Sequence, residues 1–403
     1  MEKNKLQTLK GFRDFLPEDA LKRKWLKEKI ETAFQKWGYD PIETPTLEAL
    51  ALFENQIGED EKLFYKFKDQ GDRDVALRYD QTIPACRVVG QYSQQLPMPF
   101  KRYQIQPAFR SEKPQKGRYR EFLQCDADIF GVESPIADAE VIALSLDIYK
   151  DLGFKNAKVL INDRELLKDI PYKALVSIDK IKKIGEEGVL KELQKKGFSL
   201  GDSKKYLDYI KTLKPTETIQ TILSYLESYG FEKERYSFDP TIIRSFSYST
   251  GPIWEVVIPG FEAGSVLGGE RYNNLVKNIA GVEIPGTGFG LGFDRTLEAM
   301  EQFNLLPKIK SSTKVLVTVF SENFFEKSLQ TAKYLRDKKI TTELYPSKDA
   351  KLDKQLKYAA KKQIPFVIII GPDEAEKNIA TLKNLSTGEQ TKENLEKIVA
   401  AIS

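Results

Sequence analysis

The sequence predicts an α+β chain that carries a helical insertion and a separate C-terminal α/β unit. Three observations point there. Two strand-like segments return on each other through a basic turn in "FRSEKPQKGRYREFLQCDADIF", residues 109–130. Residues 169–235 then become rich in Lys, Glu and Leu at helical spacing, while glycines and aromatic strands fade. Beyond residue 312, the strands "KVLVTVF", "TTELYP" and "PFVIIIG" alternate with helices near 323–338 and 349–362. The expected divisions are a core in two parts, 1–168 and 236–303, split by the insertion at 169–235. A linker at 304–312 ("NLLPKIKSS") precedes the C-terminal unit at 313–403.

Each element follows in chain order. Residues 17–37 space Leu21, Trp25, Ile30 and Phe34 as a helix, with Pro17 near its start and acids just after. "GYDPIETPTLE" is a turn and then a strand that Pro45 confines to an edge or interface. "VALRYDQTIPACRVVGQY" is a strand followed by a helix around 82–91. Asp80 and Thr82 lie at the junction, where they can grip an ammonium group or simply cap the helix. In the hairpin, Arg118, Arg120, Phe122, Gln124, Asp126 and Asp128 alternate onto one face. Arginines, Arg110 among them with Glu112, sit at its open end and acids lie deeper. Arginine holds phosphate or carboxylate with two parallel bonds; a solvated, charge-paired hairpin is the plain alternative. "SPIADAEVIALSLDIYKDLGF" is an amphipathic helix. "IIRSFSYSTGPIWEV" sets Arg244 ahead of a run of hydroxyls, and "GSVLGGERYNNLV" is a strand, turn and helix with paired glycines. In "IPGTGFGLGFDR" the glycines recur with period two. That fits a strand whose backbone a flat ligand can approach, then a helix with Arg295 in its first turn, better than a dinucleotide fingerprint. No P-loop is present.

Composition narrows the chemistry. The chain has 403 residues, 41% hydrophobic and 30% charged, which favours more than one domain. Its net charge of +4 permits nucleic-acid contacts through local patches without requiring them. Cys86 and Cys125 stand far apart, which argues for a reducing compartment and against a disulfide framework or a zinc site. With no secretory signal and no apolar run long enough to span a bilayer, a cytoplasmic location is expected. There is no histidine. Ser-His-Asp, Cys-His and histidine-ligated metal chemistry are therefore excluded, and any general base is a shifted carboxylate or lysine, or belongs to the substrate.

The first helix with its proline-bearing strand, the "FRSE…RYREF" hairpin and "GFGLGFDR" resemble motifs one, two and three of the class II aminoacyl-tRNA synthetases. "LRYDQT", "KPQKGRYREF", "RSFSYSTG", "GERYNNL" and "KLDKQLKYAAKKQIPFVIIIG" resemble the histidyl-tRNA synthetase family. The resemblance implies an antiparallel sheet flanked by helices, a C-terminal anticodon-binding-like domain and a homodimer. It implies ATP with Mg²⁺, histidine and its tRNA as reactants, joined through a histidyl-adenylate with release of pyrophosphate and then AMP. Arg110 would hold the α-phosphate and the substrate carboxylate. Arg118 and Arg295 would hold the outer phosphates, Glu112 would read the adenine amino group, and Phe122 would stack on the base with Arg295 beyond it. Arg244 would fill the place of a second magnesium ion, and no protein side chain is assigned as a metal ligand. Asp80, Thr82 and Gln124 would bind the α-ammonium and Asp128 the imidazole, with Tyr248, Ser249 and Tyr272 as pocket wall. Gln115 would reach the tRNA acceptor end, and the region 348–362 the anticodon.

Departures cluster beside the substrate side chain. "RSFSYSTG" stands where R-G-L-D-Y-Y-T-G is usual, so Ser245, Phe246, Ser247 and Ser249 differ, the last from a tyrosine. Glu270 and Asn273 replace Gly and Asp, and Leu123 a histidine common in bacterial members. Two rival readings share the core: a class II paralogue of altered amino-acid specificity, and the regulatory subunit of ATP phosphoribosyltransferase.

Overall fold

The computed structural model describes residues 6–56, 58–114, 117–244 and 248–402. Gln115, Ser245, Phe246 and Ser247 lie outside the described residues. The chain divides into two compact units: one runs to Asp14 and from Leu26 to Leu306, the other comprises Phe15–Trp25 and the chain from Pro307.

The first unit is built on an eight-stranded sheet. Helix α1 (Pro17–Lys36), which belongs to this unit from Leu26 on, buries Leu26, Ile30, Ala33 and Phe34, so Leu26 rather than Trp25 continues the apolar stripe. Strand β1 (Asp40–Pro41) is a sheet edge, and Pro45, expected inside a strand, lies in the connection that follows it. A small sheet of β2 (Leu47–Ala49), β3 (Lys66–Lys68) and β4 (Asp74–Leu77) precedes helix α2 (Thr82–Gln91). Strands β5 (Phe100–Phe109) and β6 (Glu121–Phe130) form the long hairpin, and α3 (Pro135–Asp151) follows. The remaining strands are β7 (Lys158–Asp163), β8 (Tyr236–Phe238), β9 (Pro252–Val257), β10 (Leu267–Arg271) and β11 (Gly286–Gly292); α8 (Leu275–Ala280) and α9 (Phe293–Gln302) follow the last two. The spatial order is β1-β5-β6-β11-β10-β9-β7-β8. Only the outermost pairs, β1 with β5 and β7 with β8, are parallel.

Helix α3 starts cleanly, with Ser134 Oγ accepting from Ile136 N and Pro135 at the first helical position. The amphipathic pattern read from its sequence understates its burial. Residues on most of its sides are enclosed, because it packs across β6, β7, β9, β10 and β11. Asp138, buried within α3, accepts from Arg271 on β10 and from the Thr287 hydroxyl on β11. The helix is thereby pinned to the sheet face opposite Glu270 and Gly288.

The insertion is helical as expected: α4 (Tyr172–Ile178), α5 (Ile181–Lys195), α6 (Leu200–Thr212) and α7 (Glu217–Tyr229). The apolar residues of α4, α5 and α6 form one cluster with Ile242, Ile243 and Ile253 of the sheet region, while α7 packs on α3, so the insertion is continuous with the core. In the second unit, β12 (Val315–Val317), β13 (Thr342–Leu344) and β14 (Phe366–Ile369) are parallel and joined through α10 (Phe325–Asp337) and α11 (Leu352–Lys361). Helix α12 (Pro372–Glu376), the antiparallel strands β15 (Ala380–Asn384) and β16 (Gln390–Glu393), and α13 (Leu395–Ile402) complete it. Sequence patterning did not foresee these last elements: β16 is charged and exposed and carries no apolar alternation.

Arg271 and Asp138 are 5% and 1% exposed and 2.9 Å apart. Removing one member of such a pair strands a buried charge. Arg271→Leu is expected to lower unfolding free energy by about 3–5 kcal/mol, read from the urea midpoint.

Candidate active site

Alternate residues of β11 carry no side chain toward one face, and a cavity of about 560 Å³ opens there. A Cβ on Gly288 would stand 1.9 Å from Asp128 Oδ1, and one on Gly290 2.9 Å from Gln124 Nε2. On β10, a Cβ on Gly268 would stand 1.7 Å from Arg244 Nη1. The period-two glycines therefore clear room for neighbouring functional side chains as well as for a ligand.

One end of the cavity is acidic. Asp80, Thr82, Gln124, Asp128, Tyr248 and Tyr272 line it. Asp80 caps the helix and keeps one carboxylate oxygen spare. Its Oδ1 accepts from Ile83 N at the start of α2, while its buried Oδ2 has no partner among the described residues. Gln124 donates to Asp126 Oδ2 at 3.0 Å and leaves its own buried Oε1 without a partner there. Burial pushes the Asp80 carboxyl up to about 6, against the bond from Ile83 N and the charge of Arg110. Asp128 is 2.6 Å from Arg102, both fully buried, and also accepts from the Tyr272 hydroxyl. Burial raises the pKa of Asp126 and of Asp128, and Arg102 opposes both shifts. Arg102, Gln104 and Gln106 pair across the hairpin with Asp128, Asp126 and Gln124. Sequence reading passed over Arg102 and Gln104; fixing the hairpin register would have exposed them, since both lie in "KRYQIQ" directly opposite the acids.

The other end is basic. Along β11 from Gly288 to Gly292, the residue before α9, the chain runs about 13 Å, to where Arg110, Arg118 and Arg295 converge with Glu112 and Phe122. Arg110 lies over the rings of Tyr79 (4.1 Å) and Phe122 (5.1 Å). The ring expected to stack with Arg295 beyond it is thus covered by Arg110. Arg295 donates to Ser265 O at 2.8 Å, and burial together with the like charges of Arg118 and Arg110 lowers its pKa. Arg118 bonds Glu112 at 3.1 Å, so two residues expected to grip different parts of a nucleotide are paired with each other here. Arg244 stands between the ends, bonded to Glu270 Oε1 at 3.3 Å. Burial works against its charge, but Glu270 and Glu255 keep it firmly protonated.

Two expectations change. Ser249, expected as pocket wall, is not on the cavity surface; it is buried, and its hydroxyl donates to Glu270, which is. The insertion, read only as a helical interruption, contributes Val176, Asp179 and Lys180 to the lining. Gln115 lies outside the described residues.

The histidyl-tRNA synthetase family model matches residues 11–199 and 186–296, and the anticodon-binding domain model matches 314–403. The chain belongs to the histidyl-tRNA synthetase family. It is 36% identical to a histidine–tRNA ligase of Cytophaga hutchinsonii over 452 residues, covering 99% of each chain. It is 36% identical to one from Helicobacter pylori over 420 residues, covering 95% of each. The solved histidyl-tRNA synthetase of Nostoc sp. PCC 7120 matches with a TM-score of 0.84 at 26% identity, covering 98% of both chains. Family and fold thus stand as the sequence motifs implied.

A side chain at Gly288 has nowhere to go, with Ala127 O 2.7 Å and Asp128 Oδ1 1.9 Å from its Cβ. Gly288→Ala is expected to cost about 1–3 kcal/mol of stability in thermal unfolding, and the retained fold should show weakened amino-acid binding by calorimetry.

Proposed function

We propose that this chain activates histidine with ATP and transfers it to its tRNA, acting in the cytoplasm as a homodimer. The observation that carries the reading is the two-ended cavity. Buried, unpartnered acceptors on Asp80 and Gln124 suit the three donors of an ammonium group, and three convergent guanidiniums suit a polyphosphate. An α-amino acid and ATP laid end to end match that polarity. The full-length relatives are ligases, and the C-terminal unit matches an anticodon-binding domain, so the regulatory-subunit reading is not favoured.

In the first step a carboxylate oxygen of histidine attacks the α-phosphorus, the bond to the bridging oxygen breaks, and pyrophosphate leaves. Arg110 and Arg244 would stabilise charge on the transferring group, while Arg118 and Arg295 would hold the outer phosphates. Arg118 must first leave Glu112, which frees that carboxylate for the adenine amino group; Phe122 supplies the stacking face. Among the described residues no group of three acidic or cysteine side chains is placed to hold a metal ion. Mg²⁺ would come bound to the phosphates of ATP and neutralise their charge, and the side chains act around it. In the second step the terminal ribose hydroxyl of tRNA attacks the adenylate carbonyl and AMP leaves. A phosphate oxygen of the adenylate takes the proton, so the absence of histidine from the chain is no obstacle. Gln115 would reach the acceptor end. The exposed lysines of α11, in the 348–362 region, would meet the anticodon, and that share of binding should weaken with salt.

Histidine-dependent pyrophosphate exchange tests the reading. Exchange with another amino acid and none with histidine would overturn it. Arg244→Ala is expected to lower kcat about 10²–10³-fold, the usual loss for one preorganised donor at developing charge. Because burial raises Asp80, acidification through about pH 6 protonates it in the free enzyme and removes the partner of the ammonium. kcat/KM for histidine should therefore fall as pH drops through that value, and Asp80→Asn should be low at every pH.

A further inference from the structure

The slot above Gly288 carries an inference that rests on the histidine reading and specifies how the ring is held. Three neighbouring strands build it. Asp128 on β6 is paired with Gly288 on β11, and Gly288 with Glu270 on β10. Directly paired residues point to the same sheet face, and adjacent strands lie about 4.8 Å apart. Two carboxylate-bearing residues therefore flank a bare glycine with their backbones about 10 Å apart, and all three residues line the cavity. Asp128 Oδ1 already leans over Gly288, 1.9 Å from where a Cβ would stand, so a flat five-membered ring would lie outward of that oxygen, on the Glu270 side.

The two walls offer the same chemistry. Asp128 Oδ1 accepts from Tyr272, and Oδ2 faces Arg102 at 2.6 Å. Glu270 Oε1 accepts from Arg244 at 3.3 Å and Oε2 from Ser249. Each carboxylate keeps lone-pair capacity for a further bond, and in its ionised form it only accepts. A neutral imidazole has one N–H and one bare nitrogen, so it would set a lone pair against one wall. We propose that Glu270 is a specificity-determining residue and that the slot takes the ring as imidazolium, one N–H donated to Asp128 and the other to Glu270.

Other charged or titratable groups face Glu270. Arg244 comes from the loop before β9 and Arg164 from the turn after β7; Asp80, Asp128 and Tyr248 come from the elements around. Asp80 supplies the acid limb already described. The alkaline limb proposed here belongs to the substrate ring, so a ring that stays neutral separates the two.

The test is exchange by the full chain from about pH 6 to 8, with histidine and with triazolylalanine, a histidine analogue whose ring stays uncharged there. KM for histidine should rise about tenfold per pH unit above the ring's own pKa of about 6.5. Near pH 6 the analogue should need about tenfold more than histidine. Glu270→Gln, whose amide can donate to a bare ring nitrogen, should flatten the rise and bring the analogue level with histidine. A flat KM above pH 6.5, an analogue used as well as histidine by the unchanged protein, or the same slope in Glu270→Gln overturns the proposal while histidine-dependent exchange leaves the parent reading standing. Loss of histidine-dependent exchange from the unchanged protein at every pH overturns both. The analogue comparison needs no variant, so it decides even if Glu270→Gln fails to fold.

Discussion

The site depends on one constraint: strand β11, at the centre of the sheet, presents no side chains to one face. Its neighbours lean into the space this leaves. Tyr272 lies where a Cβ on Gly286 would fall (2.4 Å), Asp128 where one on Gly288 would, and Gln124 where one on Gly290 would. Antiparallel pairing with β6 and β10 then fixes which residues meet across the gap. Charge follows from register: acids opposite the early glycines, and arginines where the strand turns into α9.

The acidic end is costly to build. Asp80, Asp126 and Asp128 are all buried, and Arg102 is the fully buried guanidinium among them. Burial disfavours their ionised forms, so an incoming ammonium group relieves a penalty already present in the fold. The basic end works in the opposite sense: the charges of Arg118 and Arg110 lower the pKa of Arg295, and an anion there would relieve that repulsion. Arg244 and Glu270 join the two regimes through their hydrogen bond.

Much of this was legible in the sequence, and the rest failed for definite reasons. The hairpin, α2 at Thr82–Gln91, the helical insertion and the glycine strand followed from spacing and breakers, which are local. Twelve proposed site residues reach one cavity because several separately weak motifs fell in family order. Ser249 went astray because a resemblance aligns backbone positions; with serine in place of tyrosine the side chain is too short to reach the cavity, and Glu270 from the next strand does so instead. Arg102 was missed because a cation in a strand looks solvated until its partner strand is known. Val176, Asp179 and Lys180 were missed because nothing in a helical stretch tells which residue faces a distant sheet. The late strands of the second unit escaped because β16 is an exposed, charged edge.

The two faces of β11 belong to different problems. Thr287 bonds Asp138 of α3, Phe289 packs near Phe34 of α1, and Leu291 is fully buried, while the glycines between them border the site. Substitutions at odd positions thus act mainly on folding and those at even positions mainly on the shape of the site. A single seven-residue strand therefore gives selection two nearly separate handles, and the lining of the cavity can change without loosening the scaffold that carries it.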